Sequence, residues 1–372
     1  MSHPDVLVVG AGLVGAAIAR ELARAGLRVE ILEAEFAGAG STGAAMGHLV
    51  VMDDSPAQFA LCQHSCARWR EWLAELPAAA ERDPCGTLWL AADDEELRAA
   101  RDKLRLYHDH GVRAEVLDAV QLAAAEPALR PGLAGALRVP DDLVCYPPAI
   151  ARALIEDAVR LGATLTVRRA VALEPGRVRC NDGTTHAAGA IVVATGAHAA
   201  ALLPGLPVVP RRGHLVITDR TPLRVHHQVV ELGYLHSAHT MGGASVAFNV
   251  QPRRTGQLLV GSSRELVGFD GRLERSVLAR MLARATTFIP GLARVPASRA
   301  WVGFRPATPD ALPLIGPWPG MEGVWVATGH EGLGITMATG TADLIVAGLT
   351  GAPPPLDPFP YRPDRPMAEA AA

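Results

Sequence analysis

At 372 residues with 49% hydrophobic side chains, the chain is long enough to bury the core of two domains or of one large composite one. A formal charge of −3 gives no pull toward nucleic acid or an anionic membrane surface. Of the 35 basic residues only Lys103 is a lysine, which argues against lysine Schiff-base chemistry and makes any single arginine part of a rich background.

Val6 to Val9 is an unbroken apolar run, as expected of a strand covered on both faces, and it leads into Gly10-Ala-Gly12-Leu-Val-Gly15. In this spacing Gly10 permits a tight turn, Gly12 lets a phosphate approach the backbone, and Gly15 allows the following helix to pack closely. That helix, Leu13 to Arg24, presents its first amides, at Leu13 and Val14, to a pyrophosphate. A second strand, Val29 to Leu32, ends at Glu33-Ala34, where a carboxylate can take the ribose hydroxyls of a dinucleotide and disfavours a 2′-phosphate. The next stretch is a path of small side chains, Gly38 to His48, with Gly40, Ser41, Thr42, Ala45, Met46 and Gly47 along it. A nicotinamide domain would continue with its helix here, whereas a small-residue path suits an extended pyrophosphate and riboflavin, so the expected cofactor is FAD.

A helix over Ala57 to Leu76 follows, with Trp69, Trp72 and Leu73 read as core. Gly86 to Ala91 is a short strand, Asp93 to His110 a charged helix, Val116-Leu117 a strand, and Pro127 to Pro148 a Pro/Gly-rich connection. Ala149 to Leu161 is helical, and Ala163 to Val171 is a strand that puts Val171 beside adenine. The apolar strand Ala190 to Val193 leads into Ala194-Thr195-Gly196, a third point of close approach. Strands then dominate at Gly213 to Asp219, Gln228 to Leu235, Ser245 to Val250 and Gln257 to Ser262, closed by a helix over Leu273 to Phe288. Gly329 to Thr336 opens a last helix, and the tail after Gly351 reads as loose. The predicted fold is α/β: a Rossmann-like FAD-binding domain over 1–85, 141–205 and 301–350, interleaved with an α+β substrate domain over 86–140 and 206–300. The substrate domain carries a mostly antiparallel sheet, and 351–372 is a tail.

Five cysteines, an odd number without a paired framework, point to a reducing compartment, and Cys62 and Cys66 lack the further ligands a metal site needs. Neither a signal peptide nor a membrane-length apolar run is visible, so the expected location is the cytoplasm.

Gly10 to Gly15, Glu33, Ser41 to Gly47 and Ala194-Thr195-Gly196 stand in order with Gly303-Phe-Arg305-Pro306-x-Thr308-x-Asp310-x-x-Pro313-x-x-Gly316 and Gly329 to Thr336. This set resembles the family of D-amino-acid oxidase, glycine oxidase and sarcosine oxidase over roughly residues 5 to 350. The resemblance implies FAD and removal of hydride from the carbon beside an amine. It further implies a small amino-acid or imino-acid substrate, with D-proline or D-hydroxyproline a plausible choice, and an electron acceptor that is oxygen or a carrier. Sarcosine, opines or another secondary amine are the alternative substrates, and an electron-transfer partner subunit is a possible setting. FAD is expected to be non-covalent, since no cysteine follows Cys180.

The chemistry needs an anchor for the substrate carboxylate, and Arg305 matches it with two parallel hydrogen bonds, although a structural salt bridge would also explain this arginine. Gly332, Leu333, Gly334, Ile335 and Thr336 bring amides at a helix start toward the flavin ring, where they favour negative charge. His48 stands where it would meet the ring or the substrate, or serve only as a structural histidine. Tyr234 and His236 are candidates for the pocket wall.

Overall fold

The computed structural model describes residues 3–233 and 244–367. A six-stranded sheet has the order Leu314–Pro317, Val324–Thr328, Ala190–Val193, Val6–Val9, Val29–Glu33, Thr164–Val167. Its last five strands are parallel, and only the first pairs antiparallel. Every residue of Val6–Val9 is buried because both faces are covered. Val6 and Val8 pack with the helices Leu13–Arg24, Pro147–Arg160 and Ala338–Thr350, while Leu7 and Val9 face Val178, Leu202 and Leu206. Each such fully buried valine or leucine stabilises the fold by about 1.5–3 kcal/mol.

The second sheet has eight strands in the order Ala297–Ala307, Val209–Thr218, Leu258–Arg264, Ser245–Pro252, Gln228–Glu231, Thr87–Ala91, Gly135–Val139, Glu115–Asp118. All neighbours are antiparallel except Gln228–Glu231 and Thr87–Ala91, which run parallel. The helix Arg275–Phe288 covers it, with Phe288 stacked on Phe248 at 4.5 Å between ring centres. The architecture is therefore the expected one, a parallel α/β sheet joined to a mostly antiparallel sheet built from separate stretches of chain.

Several sequence expectations need correction. The Pro/Gly-rich stretch conceals the strands Gly135–Val139 and Leu143–Val144; Leu137 and Val139 are buried there, between turns that mask so short a run. The single strand expected over Ala163 to Val171 is two, Thr164–Val167 in the parallel sheet and Ala170–Glu174 in a separate three-stranded sheet, broken at Arg168-Arg169. The strand Ala297–Ala307 runs unbroken across the boundary expected at 300/301, so Trp301 to Ala307 belong to the larger sheet. The tail is not loose throughout: Tyr361 is 1% exposed and Arg365 is 8% exposed.

Candidate cofactor and active site

The glycines of the first turn differ in what they permit. Gly10 has φ +107°, and a Cβ there would sit 2.6 Å from the Ala194 carbonyl oxygen. At Gly15 a Cβ would sit 1.9 Å from the Gly10 carbonyl oxygen, so its smallness lets helix and strand close up and does not shape a cavity. Gly12 faces open space apart from the Thr42 hydroxyl, and it lines a cavity of about 750 Å³ lying between the two sheets.

The cavity runs past Gly12, Leu13 and Val14 to Glu33 and Ala34, along Gly40, Ser41, Thr42, Ala45, Met46, Gly47 and His48, and over Ala194, Thr195 and Gly196. Gly10, Val171, Arg305, Gly332, Gly334 and Ile335 complete the predicted set that it brings together. Three predicted residues stand behind the wall. Gly15 is the packing contact just described, and Leu333 packs into the core. The Thr336 hydroxyl accepts from the Val50 amide at 3.1 Å and donates to the His48 carbonyl at 3.2 Å, which fixes the strand carrying His48. Tyr234 and His236 lie outside the described residues.

Local contacts hold this lining in place. Glu33 accepts from the Ala11 amide at 2.7 Å and the Glu35 amide at 2.8 Å, tying the acid to the glycine turn. The Leu13 amide, expected to face a pyrophosphate, donates instead to the Thr42 hydroxyl at 2.9 Å, joining the helix start to the small-residue path. Residues 332–336 do not begin a helix; Ala338–Thr350 does, and turns precede it. The Trp69 indole pins those turns by donating to the Ile335 and Thr336 carbonyls at 3.1 and 2.8 Å.

Charge is concentrated near Arg305, which donates to the Ser263 carbonyl at 2.9 Å. Glu331, with φ +46°, meets Arg211 and Arg264, each at 3.3 Å. Burial would raise the Glu331 carboxyl, but Arg264, Arg305 and Arg211 outweigh it and hold the pKa below its ordinary value. Burial acts alone on His330, whose pKa falls to about 3 and whose Nε2 meets the Thr341 hydroxyl at 2.9 Å. His48 falls to about 4, chiefly through burial and further through Arg305, against a contact with Gln251. Both imidazoles are therefore neutral at ordinary pH, and His48 is no cation at the cavity wall.

The cavity lining fits a dinucleotide that needs hydrogen bonds. Thr195 Oγ1 and Asn249 Oδ1, on two residues that line it, are buried without a hydrogen-bond partner among the described residues, and buried polar atoms are rarely left so. The Gly12 cradle is the point a side chain would fill. Asn249, Ser262, Arg168 and Arg169 also line the cavity but stood out in no motif, because neither ordinary strand residues, as the first two are, nor a short break between strands, as at Arg168-Arg169, carries a spacing signal.

The sequence profile of the FAD dependent oxidoreductase family matches residues 5–347. The chain belongs to that family. It is an FAD-dependent oxidoreductase, and the residues around Gly12, Glu33, Thr195 and Gly332 are the ones that would hold the cofactor. The chain is 29% identical to a glycine oxidase of Pseudomonas aeruginosa, over 96% of this chain and 98% of that protein. It is also 29% identical to a D-amino acid dehydrogenase of Cereibacter sphaeroides, over 95% and 93%. The crystal structure of glycine oxidase from Geobacillus kaustophilus superposes with a TM-score of 0.89 at 28% identity, over 99% of this chain and 100% of that one. Among the described residues no helix is long and apolar enough to cross a membrane.

Proposed function

We propose that this enzyme oxidises the carbon–nitrogen bond of a small amino or imino acid, with D-amino acids such as D-proline or D-hydroxyproline as the leading substrates. Bound FAD would supply the redox step by taking a hydride from the carbon beside the amine. The observation that carries the reading is Arg305, a guanidinium on the cavity wall near the junction of the two sheets. It would bind the substrate carboxylate and orient the molecule, while neutral His48 and the apolar Met46 and Leu215 exclude water. Glu331 would position the arginines around it. Relatives named for glycine and for D-amino acids support a substrate of this class, and, with both oxidases and a dehydrogenase among them, the electron acceptor is oxygen or a carrier. No cysteine lines the cavity among the described residues, in keeping with non-covalent FAD. The five cysteines are free thiols, which supports a reducing compartment, the cytoplasm.

The test is anaerobic bleaching of the bound flavin across D- and L-amino acids, imino acids, sarcosine and opines. A small D-amino or imino acid should bleach it fastest; bleaching confined to amines without a carboxylate would overturn the reading. A partner subunit is favoured by one surface feature. Leu266, Val267, Phe269 and Leu273 are exposed together, and Phe269 stacks on the cavity residue His198 at 4.3 Å. Turnover of an artificial dye by the single chain decides whether such a subunit is required.

A further inference from the structure

Between the strand Leu258–Arg264 and the helix Arg275–Phe288 the chain runs through a short loop whose parts are held in different ways. The roots are fixed by Arg212, which is 3% exposed. It pairs with both Glu265 carboxylate oxygens at 3.0 and 3.1 Å and donates to the carbonyls of Asp270 and Arg272, each at 3.1 Å. Residues 266–269, between these anchors, take part in no hydrogen bond among the described residues. What closes this stretch onto the protein is ring contact. Phe269 stacks on His198 at 4.3 Å between ring centres and 4° between planes, and meets Phe304 edge-on at 5.3 Å. Gly268, with φ +63°, and Gly271 stand on either side of Phe269-Asp270, and a Cβ on either would meet nothing within 4 Å, so the tip has room to turn.

The place of these rings gives the loop its meaning. His198 and Phe304 line the cofactor cavity, whereas Phe269 stands behind them and is 47% exposed. His198 belongs to the turn Gly196–His198 that follows a strand of the parallel sheet, and Phe304 to the strand Ala297–Ala307 of the larger sheet. Phe269 therefore bridges the two sheets at the cavity wall. The neighbouring part of the cavity is the one that holds Glu35 and Ser41: His198 feels the charges of Arg169 and Glu35, and the Phe304 carbonyl accepts from the Ser41 hydroxyl. A stretch without hydrogen bonds, whose apolar side chains stay half exposed, opens at little cost compared with unfolding the protein.

We propose that residues 266–269 form a latch that sets the rate at which FAD enters and leaves. Phe269 must swing out from between His198 and Phe304 before the cofactor passes. The rings that close the latch belong to the protein itself, so they slow passage in both directions and leave the affinity unchanged.

Phe269→Ala tests this. Diluting the FAD-loaded enzyme and following released flavin fluorescence gives the release rate from the time course and Kd from the end points. Losing two aromatic contacts should speed release by roughly 5- to 150-fold. Kd should stay within about 3-fold, the range of an ordinary surface substitution, so uptake speeds up by a similar factor. An unchanged release rate overturns the latch. Faster release with Kd weakened by the same factor also overturns it, because Phe269 would then hold the cofactor or the fold at equilibrium and not bar the way. Phe269→Leu serves if the alanine variant does not fold: it keeps apolar bulk, loses the stacking, and should show the same pattern at smaller size. No substrate takes part in the measurement, so its outcome is independent of what the enzyme oxidises.

Discussion

At Gly12 an added Cβ would meet only the Thr42 hydroxyl, at 3.3 Å, and the backbone there, φ −63° and ψ 174°, accepts any residue. A larger side chain asks the Thr42 hydroxyl to give by a few tenths of an ångström and is incompatible with a phosphate in the space beside it. Gly12→Val is expected to fold and to purify without flavin, measured as FAD released per chain; full flavin content would remove this turn from the cofactor site. At Arg305 the expected effect is on turnover. If the guanidinium forms a buried charge-assisted pair with the substrate carboxylate, Arg305→Leu should cost about 2–5 kcal/mol of transition-state binding, roughly 30- to 5,000-fold in kcat/KM. Arg305→Lys should recover only part of this, because an ammonium keeps the charge and loses the planar fork. Flavin content should persist in both, and an amine substrate lacking a carboxylate should be hardly affected. Normal kinetics of a folded, flavin-loaded Arg305→Leu on its best amino acid would return this residue to the arginine-rich background.

The turn after Gly135–Val139 shows how one element serves another. Asp142, buried in that turn, accepts from the Val51 amide at 3.3 Å and so holds the segment that follows His48. Burial raises its pKa from 3.8 to about 7, against the Thr87 hydroxyl and the Val51 amide, which pull it down. The folded state therefore keeps a proton that the unfolded chain releases on passing 3.8, so this group costs stability as pH rises, up to a plateau above about pH 7. Asn keeps the acceptor and removes the titration. Asp142→Asn should gain stability relative to wild type between pH 4 and pH 7, by urea denaturation, and the gap should stay constant above that; a gap independent of pH would mean that Asp142 is ionised in the fold. That turn lies in a stretch whose Pro131-Gly132 and Pro140-Asp141 hide the strand between them. By contrast, Val6 to Val9, the helix Leu13–Arg24 and the acid at Glu33 were legible because apolar period, glycine spacing and chain distance all agree. Arg305 and His48 were legible through motifs. Asn249 was not, since only cross-strand pairing with Gly261 brings it to the cavity. Thr336 was legible as a position and misread as a role, because its hydroxyl turns to the backbone beside His48.

The whole chain is closed by its own end. Arg365 makes a two-pronged pair with Asp310 at 2.7 and 2.8 Å and donates to the carbonyls of Pro313 and Leu312, both at 2.9 Å. Tyr361 reaches Ala57 with its hydroxyl at 2.6 Å, so the last stretch bridges the first third of the sequence and the loop after the strand Ala297–Ala307. That loop abuts the cofactor turns, since a Cβ on Gly329 would sit 2.6 Å from the Thr308 methyl. The Asp310 carboxyl is held below its ordinary pKa: burial raises it, and Arg365 more than offsets this. Removing Arg365 alone leaves a half-buried carboxylate and two carbonyls without their donor, so Arg365→Met should destabilise the fold by about 1–3 kcal/mol. Asp310→Asn together with Arg365→Met should recover much of that loss, because the desolvation penalty goes with both charges. Thermal or urea denaturation of the two single variants and the double closes the cycle. An Arg365→Met enzyme as stable as wild type would show that the tail merely rests on the surface; a large loss that the double variant does not repair would assign the stability to the carbonyl bonds of Arg365.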